Sequence, residues 1–219
     1  MLFENLRVIN DPTPRSAAVN MAIDEVLLTR VEVPVLRIYR WENRAVSFGY
    51  FIRHSAAEPI AGGREIVRRM TGGGIVEHGD DLTYSLIIPA GHSIAESPPR
   101  ESYRAIHIAI AEWLESRGVA PQLSLLPAVG PASVCFESAA EFDLVVGPRK
   151  IAGAAQRRTR AGLLHQGSID FSASEEERAA FPSAFSVEWK ETHFDSGLLQ
   201  SAHEVAALKY AQKAWTERV

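Results

Sequence analysis

The chain has 219 residues, 46% hydrophobic and 23% charged, with a formal net charge of -4. That length suits one domain with a sizeable core, expected over residues 1–219, and the mildly acidic balance argues against nucleic acid as a main partner. No apolar run resembles a signal peptide or spans a membrane, so no membrane partner is expected and the cytoplasm is the expected location.

Residues 16–30 read as a helix, with Ala18, Met21, Ala22 and Val26 near one face and Asn20, Asp24 and Glu25 elsewhere on it. Alternation predicts strands at 35–39 and 45–49, a short strand at 65–69 feeding a glycine loop, and a buried strand at 82–88 leaving it. Strand, glycine loop, strand is not the strand–loop–helix setting of a phosphate or dinucleotide loop. Pro98-Pro99 precedes an amphipathic helix to about Arg117 in which Tyr103, Ile106, Ile110, Trp113 and Leu114 share a face, with Gly118 as its stop. Strands at 142–146 and 150–156 read as a hairpin around Gly147-Pro148-Arg149, and 162–171 as a further strand. Ser174-Glu175-Glu176-Glu177 is a capping-box start, and Ser201-Ala202-His203-Glu204 opens the last helix the same way, with Val205, Leu208, Ala211 and Trp215 inward. Strands in runs, without strict alternation with helices, predict an α+β fold with a central mixed β-sheet flanked by helices.

The strongest chemical signal is Arg68-Arg69-Met70-Thr71-Gly72-Gly73-Gly74, with His78 just downstream. Three adjacent glycines add no packing and lose the most entropy on folding, so they imply a close backbone approach or a turn other residues cannot make. With amide donors, two cations and a titratable ring, the stretch suits an anionic or carbonyl-bearing ligand. The second signal is Lys150-Ile151-Ala152-Gly153-Ala154-Ala155-Gln156, where Lys150, Ala152 and Ala154 share a strand face and Gly153 leaves room. Read locally, Lys150 is a solvated lysine at a hairpin end. Cys135 is the only cysteine, so no intramolecular disulfide or cysteine zinc cage can form; it is either a silent small hydrophobe or a thiol activated by a nearby cation. His165, in Gly162-Leu163-Leu164-His165-Gln166-Gly167, reads equally as core or as function. Asp80-Asp81 reads as a solvated turn, and no metal site is expected. The arginines at 157, 158 and 160 read equally as a solvated hairpin end or as a surface for an acidic carrier protein.

In this order the motifs resemble the lipoate/octanoate branch of the biotin and lipoate protein ligase superfamily. The resemblance is carried by Asn20-Met21-Ala22-Ile23-Asp24-Glu25, Leu36-Arg37-Ile38-Tyr39-Arg40-Trp41, Val46-Ser47-Phe48-Gly49-Tyr50, the arginine–triglycine stretch with His78, and the Lys150 motif. Cys135-Phe136-Glu137 ahead of that lysine is similar to the cysteine-dependent octanoyltransferases. The resemblance implies a catalytic core related to class II synthetases and biotin ligases. It also implies transfer of an octanoyl group from acyl carrier protein, through a Cys135 thioester, to the lysine of a lipoyl domain or glycine-cleavage H protein. Cys135 and Lys150 would be catalytic, and Arg69, Thr71, Gly72, Gly73, Gly74, His78, Gly153, Ala154 and His165 would bind the acyl substrate. No cofactor is implied. The rival readings are an ATP- and magnesium-dependent lipoate–protein ligase, an amidotransferase between carrier domains, and a carrier-binding protein without activity. Two departures from the pattern stand out: Gln166 intervenes between His165 and Gly167, and Gly79 follows His78 where an acidic residue is usual.

Overall fold

Period-two alternation in the two longest buried strands, β6 (Leu82–Pro89) and β10 (Gly162–Ile169), divides the molecule into two faces. In the computed structural model, which describes residues 1–125 and 139–218, Leu82, Tyr84, Leu86, Leu163 and Ile169 pack on one side with Ile106, Ile110 and Trp113. Ile87 and Leu164 pack on the other side with Met21, Ile23 and Leu27. The first face is therefore covered by the long helix Pro99–Glu115 and the second by the helix Ala17–Leu28.

In chain order the strands are β1 (Leu6–Asn10), β2 (Val35–Tyr39), β3 (Ala45–Phe48), β4 (Glu65–Arg68), β5 (Ile75–His78), β6, β7 (Gln122–Leu123), β8 (Leu144–Val146), β9 (Arg149–Thr159), β10 and β11 (Trp189–Glu191). The helices are α1 (Ala17–Leu28), α2 (His54–Ala61), α3 (Ser93–Glu96), α4 (Pro99–Glu115), α5 (Glu175–Ala180), α6 (Ser196–Val205) and α7 (Lys213–Thr216). Among the described residues, eight strands form a mixed sheet in the order β11-β1-β2-β6-β10-β9-β8-β7, parallel at β11-β1-β2 and antiparallel beyond. A second sheet, β4-β3-β5, packs its apolar side on α2 through Val46, Phe48, Ala57 and Ile75. The α+β architecture with a helix-flanked mixed sheet is the one the sequence predicts. Among the described residues no helix is long and apolar enough to cross a membrane.

Two expectations need correction. The strand leaving the glycine loop is β5, which returns antiparallel along β3; β6 follows only after a turn at Gly79–Asp80. The last long helix starts at Ser196, not near Ser201: Asp195 is its cap, its Oδ1 accepting from Leu198 N at 2.6 Å, while the Ser201 hydroxyl bonds back to Gly197 O. The chain then widens into a π-turn over Ala206–Tyr210, which breaks the 3.6-residue period and leaves Leu208 82% exposed.

Candidate active site

The triglycine joins the two outer strands of the small sheet and crosses the end of the central one. Gly49, directly after β3, receives the crossing: its N–H donates to Gly74 O (3.1 Å), and the next residue, Tyr50, donates to Thr71 O (2.8 Å). A Cβ at Gly49 would lie 2.0 Å from Gly73 O and 2.5 Å from Gly72 O, so the approach is possible only for glycine. Gly73 itself has φ +80 and lies over Ala155 of β9. Between the loop, the small sheet and the α1 face of the large sheet is a cleft of about 490 Å³, counting its open mouth. Its walls include Met21, Tyr39, Trp41, Val76, Ala154 and Ala155, with polar groups between them.

Three buried polar systems hold this cleft. In the first, Asp24 of α1 accepts from Arg37 Nη1 (2.9 Å), Ser85 Oγ (2.5 Å) and Gln166 Nε2 (2.8 Å). Gln166 Oε1 in turn accepts from the Thr71 hydroxyl at 2.7 Å, so the glycine loop is tied to β10 and α1 through one amide. Arg37 is fully buried and also meets Asn20 Oδ1 (2.6 Å) and Asp11 (3.4 Å).

The second system runs from Arg69. Its Nη2 donates to the carbonyls of Gly72 (3.1 Å) and Gly74 (2.9 Å), and its Nη1 to Ser47 Oγ (2.7 Å). Ser47 Oγ is 2.7 Å from His78 Nε2, and His78 Nδ1 is 3.1 Å from Asp81 Oδ2. Trp41 stacks on the His78 ring at 4.0 Å and donates from its indole N–H to Thr83. Burial by itself would raise the Asp81 carboxyl, but His78, Ser168 and the Gly79 amide together hold it well below the usual carboxylate range. The acidic partner absent directly after His78 is thus supplied three residues on, because Gly79 turns the chain and its N–H meets Asp81 Oδ1 at 2.9 Å.

The third system contains Lys150. The register between β8 and β9 shifts at Leu144/Val145, and the lysine side chain lies over Gly153: a Cβ there would be 2.4 Å from Lys150 Cε and 2.6 Å from Nζ. Its Nζ is 2.7 Å from Asp143 Oδ2, with both side chains buried, so the solvated hairpin-end reading of Lys150 is replaced by a buried ion pair. Asp143 also accepts from Ala140 N (2.6 Å) and from the Tyr103 hydroxyl (2.5 Å), which itself accepts from Ala154 N. Phe142, just before it, has φ 68, a left-handed conformation uncommon outside glycine, and its carbonyl accepts from His107 Nδ1 at 2.6 Å. Strain next to a buried charge pair is a recurrent mark of functional sites.

Of the residues picked out from sequence, Arg69, Gly73, His78, Lys150, Gly153 and Ala154 line the cleft. Thr71 acts on it through Gln166, and Gly72 and Gly74 offer their carbonyls to Arg69. Cys135 lies outside the described residues. Arg68 serves elsewhere: it is buried and donates to the carbonyls of Tyr50, Ile52, Trp215, Thr216 and Arg218. His165 is on the opposite face of the sheet, buried among Tyr84, Tyr103 and His107, with Gln156 Nε2 donating to its Nδ1 (3.1 Å) and its Nε2 facing the Tyr84 hydroxyl. From that strand the cleft is lined by its neighbour Gln166 and by Gly167 and Ser168. Arg158 is likewise turned inward, onto Ala95 O and Ser102. Asp80 pairs with Arg44, and among the described residues no group of three His, Cys, Asp or Glu is arranged to hold a metal ion.

The two buried histidines carry a pH prediction. Burial, opposed only in part by Asp143, lowers His107 to about 4, and burial with the nearby His107 pushes His165 well below its ordinary value. Both are neutral in the folded protein and bind protons more readily when unfolded. Stability is therefore full above about pH 6.5 and falls as the pH drops toward 4. At roughly 1.4 kcal/mol for each tenfold change in proton affinity, the His107 share is about 3 kcal/mol. Urea unfolding at neutral and mildly acidic pH should show the loss, and His107→Asn should flatten it.

A mixed sheet joined to a small three-stranded sheet, with a glycine crossover and a buried lysine on the facing strand, frames a candidate catalytic cleft. Residues 16–211 match the family model described as lipoyl protein ligase A/B catalytic domain, and the chain belongs to that family. It is 38% identical over 173 residues to the octanoyltransferase LipM of Oceanobacillus iheyensis, covering 75% of this chain and 63% of that one. It is 39% identical over 178 residues to LipM of Exiguobacterium sibiricum (73% and 64% covered). It is 38% identical over 166 residues to LipM of Staphylococcus aureus (68% and 60% covered). The matches thus span somewhat less than two thirds of those relatives' own lengths. Among solved structures, lipoate-protein ligase A bound with ATP superposes with a TM-score of 0.79 at 20% identity, covering 97% of this chain and 98% of that one. The bi-partite lipoate protein ligase of Thermoplasma acidophilum gives 0.75 at 18%, with 100% and 98% covered. At that identity the likeness concerns the fold.

Proposed function

We propose that the protein is an octanoyltransferase of lipoate biosynthesis. It takes an octanoyl group from the thioester of acyl carrier protein onto Cys135 and passes it to the lysine of a lipoyl domain or glycine-cleavage H protein, in the cytoplasm and without nucleotide. The observation that carries this over the ligase reading is the use made of the cations. Arg68 is committed to backbone carbonyls, Arg69 to the glycine-loop carbonyls and Ser47, and Lys150 to a buried carboxylate. The N–H donors of these cations are thus engaged within the protein, an arrangement that suits a neutral acyl carbonyl better than a polyphosphate, which calls for several cationic donors aimed at it.

In this reading the Cys135 thiolate attacks the donor carbonyl, the C–S bond to the carrier breaks, and the carrier leaves as its thiolate, which takes a proton from water. The acceptor amine then attacks the Cys135 thioester, and the thiolate departs with its bonding pair. Lys150, fixed by Asp143 and Tyr103 above Gly153, polarises the carbonyl in both steps. The amide is the stable end, so the sequence runs forward without ATP. Incubation with octanoyl-acyl carrier protein and an apo-lipoyl domain, without nucleotide, should put acyl mass first on Cys135 and then on the acceptor. Cys135→Ser should abolish both. Strict dependence on ATP and free lipoate, with Cys135→Ser fully active, would establish the ligase reading instead.

A further inference from the structure

Making an amide from an activated acyl group and the neutral amine of a lysine, with the leaving group departing as an anion, releases one proton from the nitrogen. Lys150, as an ammonium against Asp143, has three donors and no lone pair to accept that proton. His107 and His165 lie on the far face of the sheet. His78 is on the cleft wall, and it also faces outward. On its outer side is an open groove of about 810 Å³ whose lining includes Glu77, Asp80, Asp81 and Asp170.

The donors are ordered along this wall. In the neutral ring with Nδ1–H directed at Asp81, His78 Nε2 is the acceptor for the Ser47 hydroxyl, and Ser47 Oγ accepts from Arg69 Nη1. With its hydrogen directed at His78 and one lone pair taken by Arg69, Ser47 Oγ keeps one lone pair for a further donor. We propose that Ser47, His78 and Asp81 form a proton exit from the cleft, taking the proton of the attacking acceptor amine and releasing it into the outer groove. As the amine nitrogen forms its bond to the acyl carbon and the leaving group departs with its electron pair, the nitrogen's proton passes to Ser47 Oγ. The Ser47 proton moves to His78 Nε2. Asp81 stays ionised and stabilises the imidazolium, which gives its proton to water in the groove.

The charges facing His78 come from every side. Asp81 is in contact, and Arg69 is one hydrogen bond away through Ser47. Arg44 is paired with Asp80, Arg64 with Glu77 and Asp170 with Arg149, so the outer groove's cations and carboxylates are largely paired with one another.

The proposal rests on amide formation but not on the identity of the acyl donor. The full chain is loaded from octanoyl-acyl carrier protein, or from octanoate with ATP. Loading and transfer to an apo-lipoyl domain are then timed separately by intact mass from about pH 5 to 9. His78→Gln should slow the transfer step by about 10²-fold or more at neutral pH. The loss should shrink as the pH rises or as imidazole buffer is added, and it should be larger on transfer than on loading. Ser47→Ala, which removes one oxygen and is the milder change for folding, should show the same split. Equal slowing of both steps, or a transfer step with the wild-type pH profile and no response to imidazole, would overturn it. Should loading require ATP, the transferase reading falls. Transfer from the adenylate sheds the same proton, so the His78 and Ser47 comparison still decides.

Discussion

Asp24→Ala is expected to lower the unfolding free energy by about 3–5 kcal/mol, as removing one member of a buried ion pair does. Asp24 and Arg37 are both fully buried with the pair at 2.9 Å, and the same carboxylate also accepts from Ser85 and Gln166. The alanine variant leaves a guanidinium inside the protein with a carboxylate only at Asp11, 3.4 Å away, and strands two neutral donors. For a chain of this length the change corresponds to a fall in Tm of roughly 6–20 °C. The control is Asp80→Ala, which removes an exposed partner of Arg44 and should stay within about 0.5 kcal/mol of wild type. Urea midpoints at an unchanged slope would measure both. If Asp24→Ala and Asp80→Ala proved equal, the Asp24 network would not be a stabilising centre of the fold. A second effect follows from geometry: without Asp24 the Gln166 amide loses the partner that orients it toward Thr71, so transfer should slow even well below the melting temperature.

The same carboxylate shows where the sequence was legible and where it was not. The apolar stripe of α4 and the strand–hairpin–strand of β8 to β10 are local periodicities, and they read directly as structure. Asn20 and Asp24 did not: as polar residues off the apolar stripe of α1 they look solvent-facing, yet both are buried because Arg37 on β2 comes to meet them. Burial of a charge depends on a partner distant in sequence, which no window of periodicity contains. Lys150 is the parallel case, with Asp143 reaching it from the adjoining strand. Of the site, the arginine–triglycine stretch with His78 is visible because its composition is unusual, and the lysine motif only through the family resemblance. Ser47, Asp81, Asp143 and Gln166 are ordinary residues that acquire their roles only from hydrogen-bond partners. For Gln166 the one available signal was the departure itself, an amide standing between His165 and Gly167. Strand parity decides the matter: His165 points into the α4 side of the sheet and Gln166 into the cleft. Strands β1 and β11 pair across most of the chain, so neither was visible alone.

Gly49→Ala should be the most damaging glycine substitution at this site, although Gly49 lies outside the triglycine. The added Cβ would fall 2.0 Å from Gly73 O and 2.5 Å from Gly72 O, and both obstacles are backbone, which cannot swing aside as a side chain can. Relief requires the whole crossover to lift from β3. That breaks the Gly49–Gly74 and Tyr50–Thr71 hydrogen bonds and draws the carbonyls of Gly72 and Gly74 away from Arg69. A displacement of about 1 Å at a positioned site is enough for roughly a 10²-fold loss of rate, and Gly49→Ala should lose at least that much in transfer to the acceptor. Gly73→Ala comes next: its φ of +80 disfavours any side chain, and the new Cβ would meet Ala155 Cβ and Arg69 Nη2 at 3.2 Å. Gly72→Ala has nothing within 4 Å of the added atom and no positive φ, so it should be the mildest of the three. Single-turnover rates for the three alanine variants, each checked for cooperative unfolding, test the order. Near-wild-type transfer by Gly49→Ala, or a Gly72→Ala loss as large as that of Gly49→Ala, would mean that the crossover does not hold the cleft in the way its contacts imply. The order is informative because composition points to the triglycine alone, whereas the steric demand falls on the strand end that the triglycine crosses.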